Sequence, residues 1–216
     1  MIKDNHSKKI AERFTSLLDK IHDLDSKQMN TLPEINEAFK SFLGISSNFA
    51  NVISKVDLIK LLRTNMLLDA NKLTIAAKLI FEEGKYFEKN GDAQAAFYRY
   101  ERAFTLIFVV FFQNLDCDIH NYKEFADEIV ETLTEYEIED RDSFKVAQYF
   151  GFTGNYATAE DCIFQLLNNT NDKETYKAEA IKFYEDLLNK TDDELKNGDL
   201  SRDEATSSLE EIKNNF

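Results

Sequence analysis

One proline and six glycines in 216 residues leave this chain few places to turn tightly. A β-sandwich or barrel of this length needs many tight turns, and glycine and proline normally supply them. Lys, Glu, Leu and Ala fill the intervals between the few breakers, and these residues favour long helices. Hydrophobic residues make up 43% and charged residues 31%, enough to bury a core and solvate its outside. The length fits one domain, and the chain reads as a single helical domain over 1–216.

Hydrophobic spacing agrees. Ile10, Phe14, Leu17, Leu18 and Ile21 predict a first amphipathic helix over about 4–24. Thr31-Leu32-Pro33-Glu34 predicts a second, with Thr31 as its cap, a stripe of Ile35, Ala38, Phe39 and Phe42, and Gly44 as its stop. Two short helical pieces are expected near 47–53 and 55–63. A hairpin over about 66–115 is the best-marked element. Leu73, Ala76, Ile80, Gly84 and Phe87 line its first helix, Gly91 suits a left-handed cap, and Asp92 suits the start of the second helix. Ala96, Tyr100, Ala103, Ile107 and Val110 line that second helix, which turns apolar all round from Ala103 and ends at Asp116 and Asp118. A lone helix at about 120–136, a second hairpin at about 142–168 broken at Gly154-Asn155, and helices at about 172–189 and 202–214 complete the chain. No segment alternates as a strand does.

Superposed on their glycine turns, the two hairpins resemble tetratricopeptide (TPR) repeats. Gly84, Phe87, Gly91, Ala96, Tyr100 and Ala103 fall at the small, aromatic and turn positions in the first copy. Ala147, Phe150, Gly154, Ala159, Ile163 and Leu166 take those places in the second, where Leu166 departs from the small residue of the pattern. The copies are offset by 63 residues, not by a multiple of the usual repeat of about 34. The segments EEGKYFEKNGDAQAAFYRYERAF and AIKFYEDLLNKTDDELKNGDLSRDEA also resemble an uncharacterised family of TPR-like bacterial proteins. The fold implied is all-α, an irregular stack of about nine or ten helices built on TPR-like hairpins. The resemblance carries no activity to transfer.

The charge narrows the partners. At a net −14 the surface repels phosphate backbones and anionic headgroups, so neither nucleic acid nor a membrane is expected. Cys117 and Cys162 make no disulfide framework, and no CxxC is present. The opening MIKDNHSKKIAERF lacks the apolar core of a signal peptide, and the apolar run at 103–112 is too short to cross a bilayer, so a cytoplasmic protein is expected. There is no GxSxG elbow, no recognisable Cys–His pair and no Gly-rich phosphate loop. His6, His22 and His120 sit in polar surroundings and read as surface residues. The expectation is a non-catalytic module without cofactor that binds a protein or peptide. A self-associating protein, or a small-molecule enzyme using buried carboxylates and tyrosines, are the alternatives.

Aromatic side chains point to where contact would fall. Of 18 Phe and 9 Tyr, many crowd the first hairpin, and most serve its core. Tyr86, Tyr98, Phe104 and Phe108 are the candidate contact surface. The apolar run at 103–112 is either wrapped by other helices of the chain or left as an interface between copies, and the spare helices at both ends favour wrapping.

Two clusters mimic metal sites. Asp116-Cys117-Asp118-Ile119-His120 brings four possible ligands together within five residues, yet a helix end followed by a capping Asp explains the same residues. Residues 193–204, DELKNGDLSRDE, match a calcium loop at Asp193, Asn197, Gly198 and Glu204, but Leu195 stands where a ligand oxygen is needed. A helix stop at Gly198 and a capping box from Ser201 to Glu204 account for this stretch without an ion. Calorimetric titration is expected to show no calcium affinity tighter than millimolar; saturable micromolar binding lost in Glu204→Gln would reinstate the loop.

Overall fold

The computed structural model describes residues 2–216, with side chains from Lys8 onward, so His6 lies outside the described side chains. Contacts gather into two compact units, Met1–Tyr136 and Glu137–Phe216, where the sequence suggests one domain. The first holds α1 (Ile2–Ser26), α2 (Leu32–Ala38) running into a π-helical turn (Phe39–Leu43), α3 (Ser47–Val52) and α4 (Lys55–Leu61). A two-stranded ribbon, β1 (Arg63–Thr64) and β2 (Leu67–Leu68), then leads into α5 (Ala70–Lys89), α6 (Ala93–Phe112) and α7 (Tyr122–Thr134). The second unit holds α8 (Asp140–Thr153), α9 (Tyr156–Asn169), α10 (Lys173–Leu187), α11 (Asp192–Asn197) and α12 (Arg202–Asn215). The protein is all-α apart from the ribbon. Among the described residues no helix is long and apolar enough to cross a membrane.

The α5–α6 hairpin is the centre of the first unit. Its turn is built as the residues demand. Gly91 sits at φ +81, its N–H reaches Glu88 O and that of Asp92 reaches Phe87 O, which closes α5 in a Schellman cap. The Asp92 carboxylate accepts from Ala95 N, and Asp69 caps α5 in the same way through Lys72 N. A Cβ on Gly84 would stand 2.4 Å from Cε1 of Tyr100, so the missing side chain lets the tyrosine ring lie against α5. Ala96 and Ala103 are fully buried, while Phe87 is half-buried beneath the Arg99 guanidinium.

The second unit repeats the hairpin in α8 and α9. Gly154 is left-handed at φ +85, Ala147 and Ala159 are fully buried, and Phe150 is half-buried. Tyr184, Ala180 and Leu187 of α10 join Ile163, Leu167, Leu195 and Ile212 in one core. Arg202 ties the ends together: its guanidinium donates to Leu188 O and Lys190 O, orphan carbonyls at the end of α10, and also meets Asp192.

Several local expectations are corrected. The ribbon at 63–68 was not legible, because its two-residue loop is Asn65-Met66 where a hairpin turn of this kind favours Asn-Gly. Thr31 makes no cap hydrogen bond; it is buried, and Asn30 Oδ1 accepts from Leu32 N in its stead. Asn114, at φ +45, closes α6 before Asp116 is reached, through Asn114 N to Phe111 O and Leu115 N to Val110 O. Asp118 does not cap α7: it exchanges hydrogen bonds with Asn71 on α5. Gly198 does stop α11 as its C-cap, but not through a left-handed φ: its φ is −96, and Asp199 takes φ +56. Gly198 is there for space, because a Cβ would lie 2.3 Å from the Tyr156 ring and 2.4 Å from Gly154 O.

That last geometry separates two glycine effects. Alanine at 91 meets open space but a strained φ, and is expected to cost about 1 kcal/mol. Alanine at 198 has an acceptable φ but collides with backbone, and is expected to cost about 3 kcal/mol, at the upper end for overpacking. Urea unfolding of both variants, followed by near-UV circular dichroism, checks the order. Equal losses would remove the steric account of Gly198.

Candidate functional site

Residues 73–84 of α5 are buried without a break, and this stretch contains Lys78, Glu82 and Glu83. Charges deep in a protein must be paired and hydrogen-bonded. Glu82 meets His22 Nε2 of α1 at 3.1 Å, Lys78 Nζ at 3.2 Å and Lys85 Nζ at 3.4 Å. Both lysines also reach Glu128 of α7, at 2.8 and 3.1 Å. Lys78 lies over the Phe125 ring, 4.3 Å from its centroid, and this aromatic face adds to the electrostatic well. Burial pushes Glu82 toward the neutral form. The His22 hydrogen bond and the two lysine charges outweigh it and hold the carboxyl at about 2.

Glu83 has different partners. It accepts from Ser47 Oγ and, at 2.6 Å, from Asn51 Nδ2, both on α3. Arg99 Nε stands 3.5 Å away, a Coulombic contact outside good hydrogen-bond geometry, with its guanidinium stacked 4.0 Å from the Phe87 centroid. Here burial wins, and the carboxyl is raised above the usual range despite those partners. Farther along α5, Glu88 accepts from Tyr100 at 2.8 Å and from Tyr136 at 2.5 Å. Burial and the carboxylate both keep these phenols protonated, Tyr136 being pushed up to about 12.

A cleft of about 230 Å³ opens beside Glu82, walled by His22, Asp25, Thr31, Lys85 and Tyr86. His22 is a surface histidine, as expected, that also partners a buried carboxylate; His120 is exposed too. Nothing in the sequence singles out this network. Lys78, Glu82 and Lys85 at helical spacing look like any solvated helix face, and His22 and Glu128 come from distant segments.

The candidate contact residues scatter. Tyr98 is exposed and Tyr86 lines the cleft. Phe104 is fully buried and Phe108 nearly so, because α4, α5 and α7 pack around α6, so neither offers a surface. Of the run at 103–112, Phe112 alone remains largely exposed. Cys117 contacts Thr74 and Asp118 contacts Asn71, which pins both residues to α5, while the Glu204 carboxylate is engaged in the capping box with Ser201.

Sequence spacing does not disclose another surface. Phe49 and Val52 of α3, Val56 and Leu61 of α4, and Met66 and Leu67 of the ribbon are all exposed. Ala50, Leu58 and Leu62 anchor the inner side of this segment. Arg102 of α6 donates to Ala50 O and Ile53 O, and Lys55 meets Glu101 at 2.6 Å. Leucine and valine at helical spacing signal burial, and the sequence does not tell which of two apolar stripes on so short a helix faces inward.

These features define an all-α protein of helical hairpins, with paired charges inside and exposed apolar side chains concentrated between residues 49 and 67. The chain belongs to a family of unknown function (DUF6483), whose model matches residues 1–216. No curated protein and no solved structure matches it.

The Glu82 network has a measurable consequence. Its carboxyl is depressed in the folded state, so the stability its charge contributes is present above about 4.5 and lost as pH falls toward about 2. Glu82→Gln leaves Lys78 buried with Glu128 as its one carboxylate and is expected to cost about 3 kcal/mol at neutral pH. Denaturant melts across pH test this: the gap between variant and wild type should close on acidification through that window. A gap unchanged at the acid end would refute the charged role.

Proposed function

We propose that the chain is a non-catalytic protein-binding module that docks a protein or peptide on the face formed by residues 47–68. One observation carries this reading: six of the ten large hydrophobic side chains exposed among the described residues fall between Phe49 and Leu67. Apolar residues exposed singly are ordinary, but such a concentration marks contact surfaces. The TPR-like pattern of the hairpins supports it, since Gly84 and Ala96 let α5 and α6 approach closely in the way repeat modules use to build rigid binding scaffolds. The acidic composition, at a net −14, supports a cytoplasmic setting.

A small-molecule enzyme is the second reading, favoured by the cleft beside Glu82. Its chemistry argues less well. A general base works best with a pKa near the working pH, and Glu82 is held at about 2. Tyr100 and Tyr136 are pushed up and stay protonated. These three groups hold charge and geometry, and Glu83, whose carboxyl burial raises, is bonded to Ser47 and Asn51 of α3 and does not line the cleft.

Val52 and Leu67 are 74% and 72% exposed, so Val52→Asp with Leu67→Asp is expected to leave stability within about 1 kcal/mol of wild type. Parallel affinity capture from native cell extract with wild type and this double variant is the test. Proteins retained by the wild type should be lost from the variant. Identical captured sets would remove the face from the mechanism.

A further inference from the structure

The cleft beside Glu82 keeps polar atoms that the protein itself does not satisfy. Glu82 is 5% exposed, and its closest contacts with His22, Lys78 and Lys85 all run through Oε1. Its other oxygen, Oε2, accepts no hydrogen bond among the described residues. Thr31 is 2% exposed, and its hydroxyl makes no hydrogen bond among them either, not even the cap bond that its position invites. Both residues wall the same cleft. Buried polar atoms left without partners are costly and rare. Among the described residues Arg99 Nε is the one buried side-chain nitrogen or oxygen that is both sealed from solvent and unpartnered. Glu82 Oε2 and Thr31 Oγ1 are therefore not sealed, and the space they reach is the cleft.

The charges around these atoms are already balanced. Glu82 and Glu128 face Lys78 and Lys85, and Asp25 pairs with Lys89 at 2.7 Å. A ligand ammonium at Oε2 would stand close to the two lysines that crowd Oε1. A ligand anion would meet Glu82 and Asp25 in a chain whose net charge is −14. A neutral ligand disturbs neither balance. Its groups must also both give and take hydrogen bonds, because the carboxylate only accepts, Lys85 only donates, and Thr31 and Tyr86 do either. A hydroxyl group does both. Ile21 and the Tyr86 ring supply an apolar wall for a carbon frame. The cleft, about 230 Å³, falls below the roughly 300 Å³ at which pockets for drug-sized ligands begin, so its occupant is small.

Beyond the docking face and independent of it, the geometry points to a ligand site in this cleft for one small neutral polyhydroxylated molecule, a monosaccharide or a polyol of that size. One ligand hydroxyl donates to Glu82 Oε2, a charge-assisted bond and the strongest the site offers. A second pairs with Thr31 Oγ1, while Lys85 Nζ and the Tyr86 hydroxyl donate to ligand oxygens. Because the Glu82 carboxyl is held at about 2, Oε2 remains an acceptor throughout the neutral range. The role is binding and carries no chemical step. Glu82 belongs to α5, His22 to α1 and Thr31 to the connection between α1 and α2, so an occupant joins three parts of the first unit and stabilises their arrangement.

The test titrates the full chain with glucose, galactose, mannose, ribose and sorbitol, and with the charged analogues glucosamine and glucuronate, read by saturation-transfer NMR and calorimetry. At least one neutral member is expected to bind saturably with a Kd of about 1 mM or tighter, and both charged analogues about tenfold more weakly. Thr31→Val keeps the shape and removes the hydroxyl, and Tyr86→Phe removes the phenol oxygen. Each is expected to weaken the neutral ligand about tenfold while its melting temperature equals or exceeds that of wild type, because neither hydroxyl bonds within the fold. The Val52→Asp, Leu67→Asp variant is expected to bind the same ligand as wild type does. Absence of saturable binding across the neutral members overturns the inference and leaves the cleft to water. Preference for glucosamine or glucuronate overturns the neutral class. Undiminished binding by Thr31→Val puts the ligand elsewhere and overturns the site, and a lowered melting temperature of that variant overturns the claim that its hydroxyl is free for a ligand.

Discussion

A helix enclosed on every side has no water for its charges, and α5 carries three charged residues within its twelve-residue buried stretch. Each must find a partner on a neighbouring element or the helix cannot be enclosed. This requirement organises the first unit. Glu82 draws in α1 through His22, Lys78 and Lys85 draw in α7 through Glu128, and Glu83 draws in α3 through Ser47 and Asn51. Hydrophobic burial is non-directional and would let α1 or α7 rotate or slide on the hairpin. The ion pairs and hydrogen bonds fix one arrangement because only one satisfies all of them.

The two neighbouring glutamates divide this work. Glu82 is surrounded by cations and stays ionised, so its contribution is Coulombic. Glu83 meets neutral donors and one guanidinium at 3.5 Å, and burial raises its carboxyl above the usual range. This second arrangement holds α3, the start of the apolar segment. Arg102 supplies the complement from α6 by binding the carbonyls at the other end of that helix. A six-residue helix has little stability of its own, so its position depends on these contacts from α5 and α6.

Helix positions were legible because their cause is local. Leu73 to Gly84 and Ala96 to Val110 repeat at helical spacing, and Gly44, Gly91 and Gly154 each adopt the left-handed φ that ends a helix. The stop at Asn114 and the left-handed turn at Asp199 escaped notice, since asparagine and aspartate serve equally well in loops, caps and solvated faces. The chain uses them in place of the glycine it lacks. The Glu82 network was illegible for a different reason: it joins residues 60, 50 and 43 positions apart, and sequence spacing carries no signal across such distances. Phe104 and Phe108 were misassigned because an all-apolar helix segment reads the same whether neighbouring helices or another chain cover it.

The result is an inverted placement of polarity. Charges sit inside α5, where solvation is lost, and apolar side chains sit outside on α3, α4 and the ribbon, where water is poorly displaced. The two are linked through rigidity. A contact surface that changes shape on binding must lose conformational entropy at that moment, whereas one held in place has lost it on folding. Short elements such as α3 and a four-residue ribbon cannot hold themselves. Polar side chains on the long helices hold α3, while Leu58, Leu62 and the Asp69 cap hold α4 and the ribbon. Removing an exposed apolar group and removing a buried clamp should therefore weaken docking by different routes. The first takes away contact area without loosening the segment. The second leaves the area intact but restores its freedom, so the loss appears as a less favourable entropy of binding. Calorimetry of Leu67→Ser beside Glu83→Gln separates these routes, and identical thermodynamic signatures would show that the clamps do not preorganise the face.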